Sequence, residues 1–208
     1  MESAMAWLRE EGFKLVAARD LIDAPQQVKN RMGVYLVFIK GADKIFQRAG
    51  LPDAGDVSYW SVGDYHQLYV GEGVSVRSRA MYHLHGDVSN SAVREFLLSL
   101  QFARGVIWRA TTECRESAEA RLDEWLLENA AIAFKNCAFA GDVERDLIRQ
   151  FPSPFNVRHN ARTPLLSALI DIRDGYREHL AVTGQRPARS YKSPSAWLRA
   201  DAALRKPS

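Results

Sequence analysis

The sequence predicts an α/β domain of the α+β kind, a small and mostly antiparallel sheet flanked by helices. Two apolar stretches rich in β-branched and aromatic residues, 33–40 (GVYLVFIK) and 66–71 (HQLYVG), are the sheet signal. Five later segments carry their apolar residues at helical spacing, and this supplies the flanking layers.

Taken in order, residues 3–10 suit a short helix, whereas 13–22 mixes apolar and charged residues without a period. The strand 33–40 is bounded by Met32 and Gly41. The connection 41–65 carries Gly50, Pro52, Gly55, Asp56 and Gly63, the punctuation of an extended surface loop, with a short helix expected at 43–49. After the strand 66–71, Ser75 is placed to N-cap a helix running to Leu84, with Val76, Ala80 and Leu84 as its buried stripe and Gly86 as its stop. Residues 91–100 repeat the pattern with Val93, Phe96, Leu97 and Leu100. Residues 105–111 read as a third strand. A helix over 117–129 carries Leu122, Trp125 and Leu126; 131–137 reads as a fourth strand or as a continuation of that helix. Asp142 is placed to cap a helix over 143–151, which Pro152 and Pro154 stop. Residues 164–180 form one more helix, then a linker leads to a short terminal helix near 195–206.

At 208 residues the chain suits one domain with extensions. The expected partition is an N-terminal extension over 1–31, a domain over 32–158 with its inserted loop at 41–65, and a basic helical extension over 159–208. No apolar run approaches the roughly 18 residues that a membrane span needs, and no signal peptide opens the chain, so a protein of the cytoplasm with no membrane partner is expected. Cys114 and Cys137 are expected to be free thiols. The net charge is only +3 but unevenly placed: from Val157 onward ten Lys or Arg face four acids, a net +6 against −3 in the remainder. Such a tail suits phosphate contact, and equally suits a solvated terminus.

The turn Gly71-Glu72-Gly73 lies between a strand and a helix, where backbone amides can meet a phosphate. Arg79 and His83 are four residues apart on that helix, hence on one face at the margin of its apolar stripe. An arginine offers a planar fork to phosphate oxygens, and a histidine can move a proton near neutral pH.

These residues belong to a longer ordered pattern: Gly33-Val34-Tyr35, then Tyr69-Val70-Gly71, then Arg79, His83, Glu144 and finally Asn156 within ERDLIRQFPSPFN. The pattern resembles the GIY-YIG nucleases over about 32–157. The resemblance implies that Tyr35, Tyr69, Arg79, His83, Glu144 and Asn156 are the catalytic residues, and that Glu144 is the protein ligand of one Mg²⁺ or Mn²⁺ ion. It implies a metal-dependent endonuclease acting on nucleic acid, expected to be DNA. Tyr35 would position or deprotonate the attacking water, helped by a cation or by His83, with Lys40 and Lys44 as candidates for that cation. Glu72 stands where many relatives carry a small or basic residue, and a carboxylate there repels phosphate unless it turns away or is paired. Two rival readings use the same residues: a nucleic-acid-binding module that keeps the fold with weak catalysis, and a phosphate-ligand protein relying on Gly71 and Gly73 alone.

Overall fold

The structure is a computed structural model that describes residues 4–52, 60–86, 88–109, 114–160 and 163–185. The expected linker and terminal helix beyond residue 185, and with them most of the basic tail, lie outside the described residues.

The run 33–39 is apolar because it is covered on both faces, and Lys40 ends it in solvent. Together they form β2 (Gly33–Lys40), the middle strand of a five-stranded antiparallel sheet. Val34, Leu36 and Phe38 enter one core, and Tyr35, Val37 and Ile39 enter the other. This is the period of two expected of a strand, with both faces buried. On one side β2 pairs with β4 (Tyr65–Gly73), and on the other with β5 (Ala130–Asn136). The outer strands are β1 (Lys14–Ala17), paired with β5, and β3 (Ser61–Val62), paired with β4. The β2–β4 register skips Leu68, so Val37 faces Tyr69 and Phe38 faces Gln67. Leu68 and Tyr69 therefore both serve the same core. Such a bulge re-aims a side chain.

Gly33 is needed where it stands: a Cβ there would lie 2.1 Å from the carbonyl oxygen of Lys135 on β5. Its neighbours in the register are Gly73 and Asn136, so β2, β4 and β5 come to one common end.

The helices are α1 (Ala4–Glu10), α2 (Ala18–Asp23), α3 (Ala42–Arg48), α4 (Val76–Leu84), α5 (Ala92–Arg104), α6 (Arg115–Asn129), α7 (Ala140–Gln150) and α8 (Pro164–Val182). Leu8 of α1 and Leu147 and Ile148 of α7 cover the Val34 face, while the apolar residues of α2 to α6 and α8 build the larger core on the Tyr35 face. The buried Arg94 ties that second layer together, bonding the carbonyls of Leu84 and Glu119 and pairing with Asp123 at 2.6 Å. Arg177 of α8 clasps Glu95 of α5 at 2.5 and 2.7 Å. Among the described residues no helix is long and apolar enough to cross a membrane, and both cysteines are free.

Two expectations need correction, and one open stretch gains its elements. The described part of 105–111 is not a strand. Its β-branched run is genuine, but Gln101 takes over its backbone: Oε1 accepts from the amides of Ile107 and Trp108, and Nε2 donates to the carbonyl of Trp108. With those groups satisfied by a side chain, no ladder partner is required. Residues 110 and 111 lie outside the described residues. Asp142 does not cap α7; that position belongs to Phe139, in a left-handed conformation, with the helix already begun at Ala140 and Asp142 within its first turn. The stretch 13–22, which shows no period, folds as β1 followed at once by α2, an edge strand too short to display one.

Candidate active site

The site grows from the end of β2. Tyr35 lies opposite Gly71 in the register, and its side chain is fully buried on the larger core face. Its ring rests directly over Gly71: a Cβ there would be 2.4 Å from both Cζ and Oη of Tyr35, and 2.8 Å from Cε1 of Tyr69. Glycine at that position is a steric requirement of the tyrosine pair. The two tyrosine rings lie 6.3 Å apart, and His83 of α4 stands 5.5 Å from one and 5.2 Å from the other.

A chain of hydrogen bonds leads away from Tyr35 into the core. Its hydroxyl meets Nε2 of His83 at 2.7 Å, Nδ1 of His83 meets Oγ of Ser91 at 2.7 Å, and Ser91 accepts the amide of Arg94 at 3.1 Å as the N-cap of α5. Arg79, one turn before His83, donates to the carbonyl of Asn90 at 3.1 Å, which steadies its guanidinium near both hydroxyls.

Glu144 comes from α7, the helix on the other face of the sheet, yet its charge is felt by both tyrosines. It therefore reaches the site around the end of β4. Asn156 lies along the open side of β4, where its side-chain amide acts like a neighbouring strand. Oδ1 accepts from the amide of Val70 at 2.8 Å and Nδ2 donates to the carbonyl of Val70 at 2.9 Å. Tyr69, Val70 and Gly71 are thus held by β2 on one side and by Asn156 on the other.

The model of the GIY-YIG catalytic domain matches residues 33–174 of this chain. The chain belongs to the GIY-YIG family. No curated protein and no solved structure matches it. A GIY-YIG catalytic domain implies nuclease-type phosphodiester hydrolysis, so the electrostatics of the cleft acquire a purpose.

In this GIY-YIG domain, burial pushes the Tyr35 hydroxyl well above its ordinary value, with Tyr69 adding to the effect and Arg79 opposing it. Tyr69 is raised for the same first reason, again opposed by Arg79. His83 is lowered to about 3 by its complete burial and by the charges of Arg79 and Arg94, so it is neutral at physiological pH. Glu144 is raised by burial and then by the charge of Glu72, against weaker opposition from Arg145 and Arg158.

The cation beside the tyrosines is Arg79. Lys40 is exposed at the far end of β2, five residues or about 17 Å along the strand from Tyr35, and Lys44 is exposed on α3. Glu72 turns toward α7, with its carboxylate about 3.7–3.9 Å from where a Cβ of Gly141 would stand, one turn before Glu144. Sequence reasoning brought out the tyrosines, Arg79, His83, Glu144 and Asn156. It did not see Ser91 as the support of His83, because an eight-residue separation across a turn between two helices leaves no periodic trace. Nor did it see Glu72 beside Glu144, although the Gly-Glu-Gly spacing was visible.

Proposed function

We propose that this protein is a metal-dependent endonuclease that hydrolyses phosphodiester bonds of DNA. The observation that supports this reading is the convergence of two tyrosine hydroxyls, a steadied guanidinium and a half-buried carboxylate at one end of the sheet. Among the described residues, no hydrogen bond or ion pair engages the Glu144 carboxylate. Half-buried negative charge with no partner, next to a second carboxylate, suits a hard divalent cation, and oxygen donors suit Mg²⁺ or Mn²⁺. No cluster of three or more His, Cys, Asp or Glu occurs among the described residues, which fits an ion held by one protein ligand together with water and phosphate oxygens. When bound, such an ion would draw charge from the scissile phosphate and from the departing oxygen.

The residues of the chain then have separable tasks. Arg79 neutralises charge that builds on the phosphoryl oxygens, through a planar fork already held by Asn90. Tyr35 orients the attacking water. With the hydroxyl pKa raised and His83 lowered to about 3, neither is a strong base at neutral pH, so orientation outweighs proton removal. Neutral His83 fixes the direction of the Tyr35 O–H, and Ser91 fixes the ring of His83. Tyr69 completes the wall of the cleft. Asn156 acts one step back, by holding the main chain between Tyr69 and Gly71.

The test is conversion of supercoiled plasmid to nicked or linear product with Mg²⁺ or Mn²⁺ and with chelator, for the native chain and for Glu144→Ala. Cleavage is expected only for the native chain with metal. The variant should fold with an unchanged or slightly higher melting temperature, because it loses a carboxylate that burial and Glu72 disfavour. Cleavage by Glu144→Ala at the native rate would remove the assignment.

A further inference from the structure

The end of the sheet that carries this cleft also carries an apolar rim with no part in the chemistry above. Met32 precedes Gly33, Val74 follows Gly73, and the amide of Cys137 donates to the carbonyl of Met32 at 3.2 Å. The segment leading from β5 into α7 is thereby pinned beside Met32. Six large apolar side chains stand exposed among the described residues. Three of them belong to this rim: Met32 (45%), Val74 (80%) and Phe139 (79%). A fourth, Val157, follows Asn156 on the β4 side and precedes Arg158, whose charge acts on Glu144.

Phe139 is the most pronounced of these. It holds a left-handed backbone, φ 56° and ψ 39°, which bulky side chains rarely adopt. Its carbonyl is fixed as acceptor for the amides of Asp142 and Val143. Its ring makes no aromatic or cation contact among the described residues. The residue two places on, Gly141, is the one that Glu72 approaches, which puts Phe139 in the segment that enters the helix on the carboxylate side of the cleft. Arg79, Arg145 and Arg158 border the same cleft.

Exposed apolar and aromatic surface interleaved with guanidinium groups fits a ligand that is anionic along one edge and flat and aromatic along another. A nucleic acid with accessible bases has that form. An uninterrupted duplex does not, because its bases are stacked on each other and show no free face. Resting on the nuclease reading above, we propose that Phe139, at the same end of the sheet as Val74 and Met32, stacks on an unpaired base beside the scissile phosphate. The preferred substrate class is then nucleic acid with unstacked bases, such as a bulge, a flap, a junction or a single strand.

The experiment uses the full chain carrying Glu144→Ala, with fluorescent oligonucleotides that are either fully paired or interrupted by a small bulge containing 2-aminopurine. The bulged strand is expected to bind about five- to a hundredfold more tightly, as one stacked base allows, with a change in 2-aminopurine emission. Adding Phe139→Ala should remove most of that preference, and Phe139→Trp should restore it. Equal affinity for both oligonucleotides, or a preference untouched by Phe139→Ala, overturns the proposal. So does a dimer in sedimentation that Phe139→Ala dissociates, since the rim would then be a contact between copies. If the native chain still cuts intact duplex in either case, the nuclease reading survives alone. If it neither binds nor cuts any nucleic acid, both fall.

Discussion

A methyl group added at Gly71 would be driven into the ring of Tyr35, where two contacts of 2.4 Å leave no room for it. Gly71→Ala should therefore displace the tyrosine from His83 and lower stability by about 1–3 kcal/mol, the usual cost of overpacking. Urea unfolding measures the loss, and the ultraviolet difference spectrum of tyrosine reports whether the ring has moved; an unchanged spectrum and midpoint would contradict the packing. The glycine of each signature triplet thus has its own cause: Gly33 clears the backbone of β5, and Gly71 clears the catalytic tyrosine proposed above. The sequence shows both glycines but not their reasons. Pattern reveals Tyr35, Tyr69, Arg79, His83, Glu144 and Asn156 because their order and spacing are fixed along the chain. Ser91, Asn90 and Glu72 matter only through contacts made after folding, so the same sequence hides them.

Among the elements, β4 is the one on which the site depends most, and its outer side is only partly covered by a strand. β3 reaches residues 65 and 66 alone; beyond it, the amide of Phe155 donates to the carbonyl of Leu68, and Asn156 serves Val70. Asn156→Ala would leave both main-chain groups of Val70 buried without those partners. A loss of about 2–6 kcal/mol follows from one to three for each unsatisfied group. Hydrogen exchange at the Val70 amide should accelerate more than at Val37 on β2, and equal acceleration of the two would show a global effect instead. Strand 33–40 was legible to the residue because both its faces are buried, which makes the run apolar as far as the exposed Lys40. The stretch 105–109 misled for the opposite reason: its composition is that of a strand, and only the side chain of Gln101, outside the window, decides otherwise.

For the molecule as a whole, the buried neutral His83 is an acid-sensitive point. Its folded pKa of about 3 lies below the ordinary value of 6.5, so the unfolded chain binds the extra proton between those limits. The stability it allows is complete above pH 6.5 and is lost toward pH 3, at up to about 1.4 kcal/mol per pH unit. Denaturation followed from pH 7 to pH 4 should show a steeper decline for the native chain than for His83→Gln, whatever their stabilities at pH 7; parallel declines would mean that the ring already carries a proton in the fold. The order of the strands has a further result, for the chain as it leaves the ribosome. β1 and β2 follow one another in sequence but never pair, because β5 lies between them, and Lys14 must wait for Phe134, 120 residues later. Until then two strand edges stand with unpaired N–H and C=O groups, the first on β1 and the second on the strand that bears Tyr35. The order of synthesis therefore leaves the gap between β1 and β2 as the last part of the sheet to close, and the unfinished chain is at its most prone to mispairing just before β5 emerges.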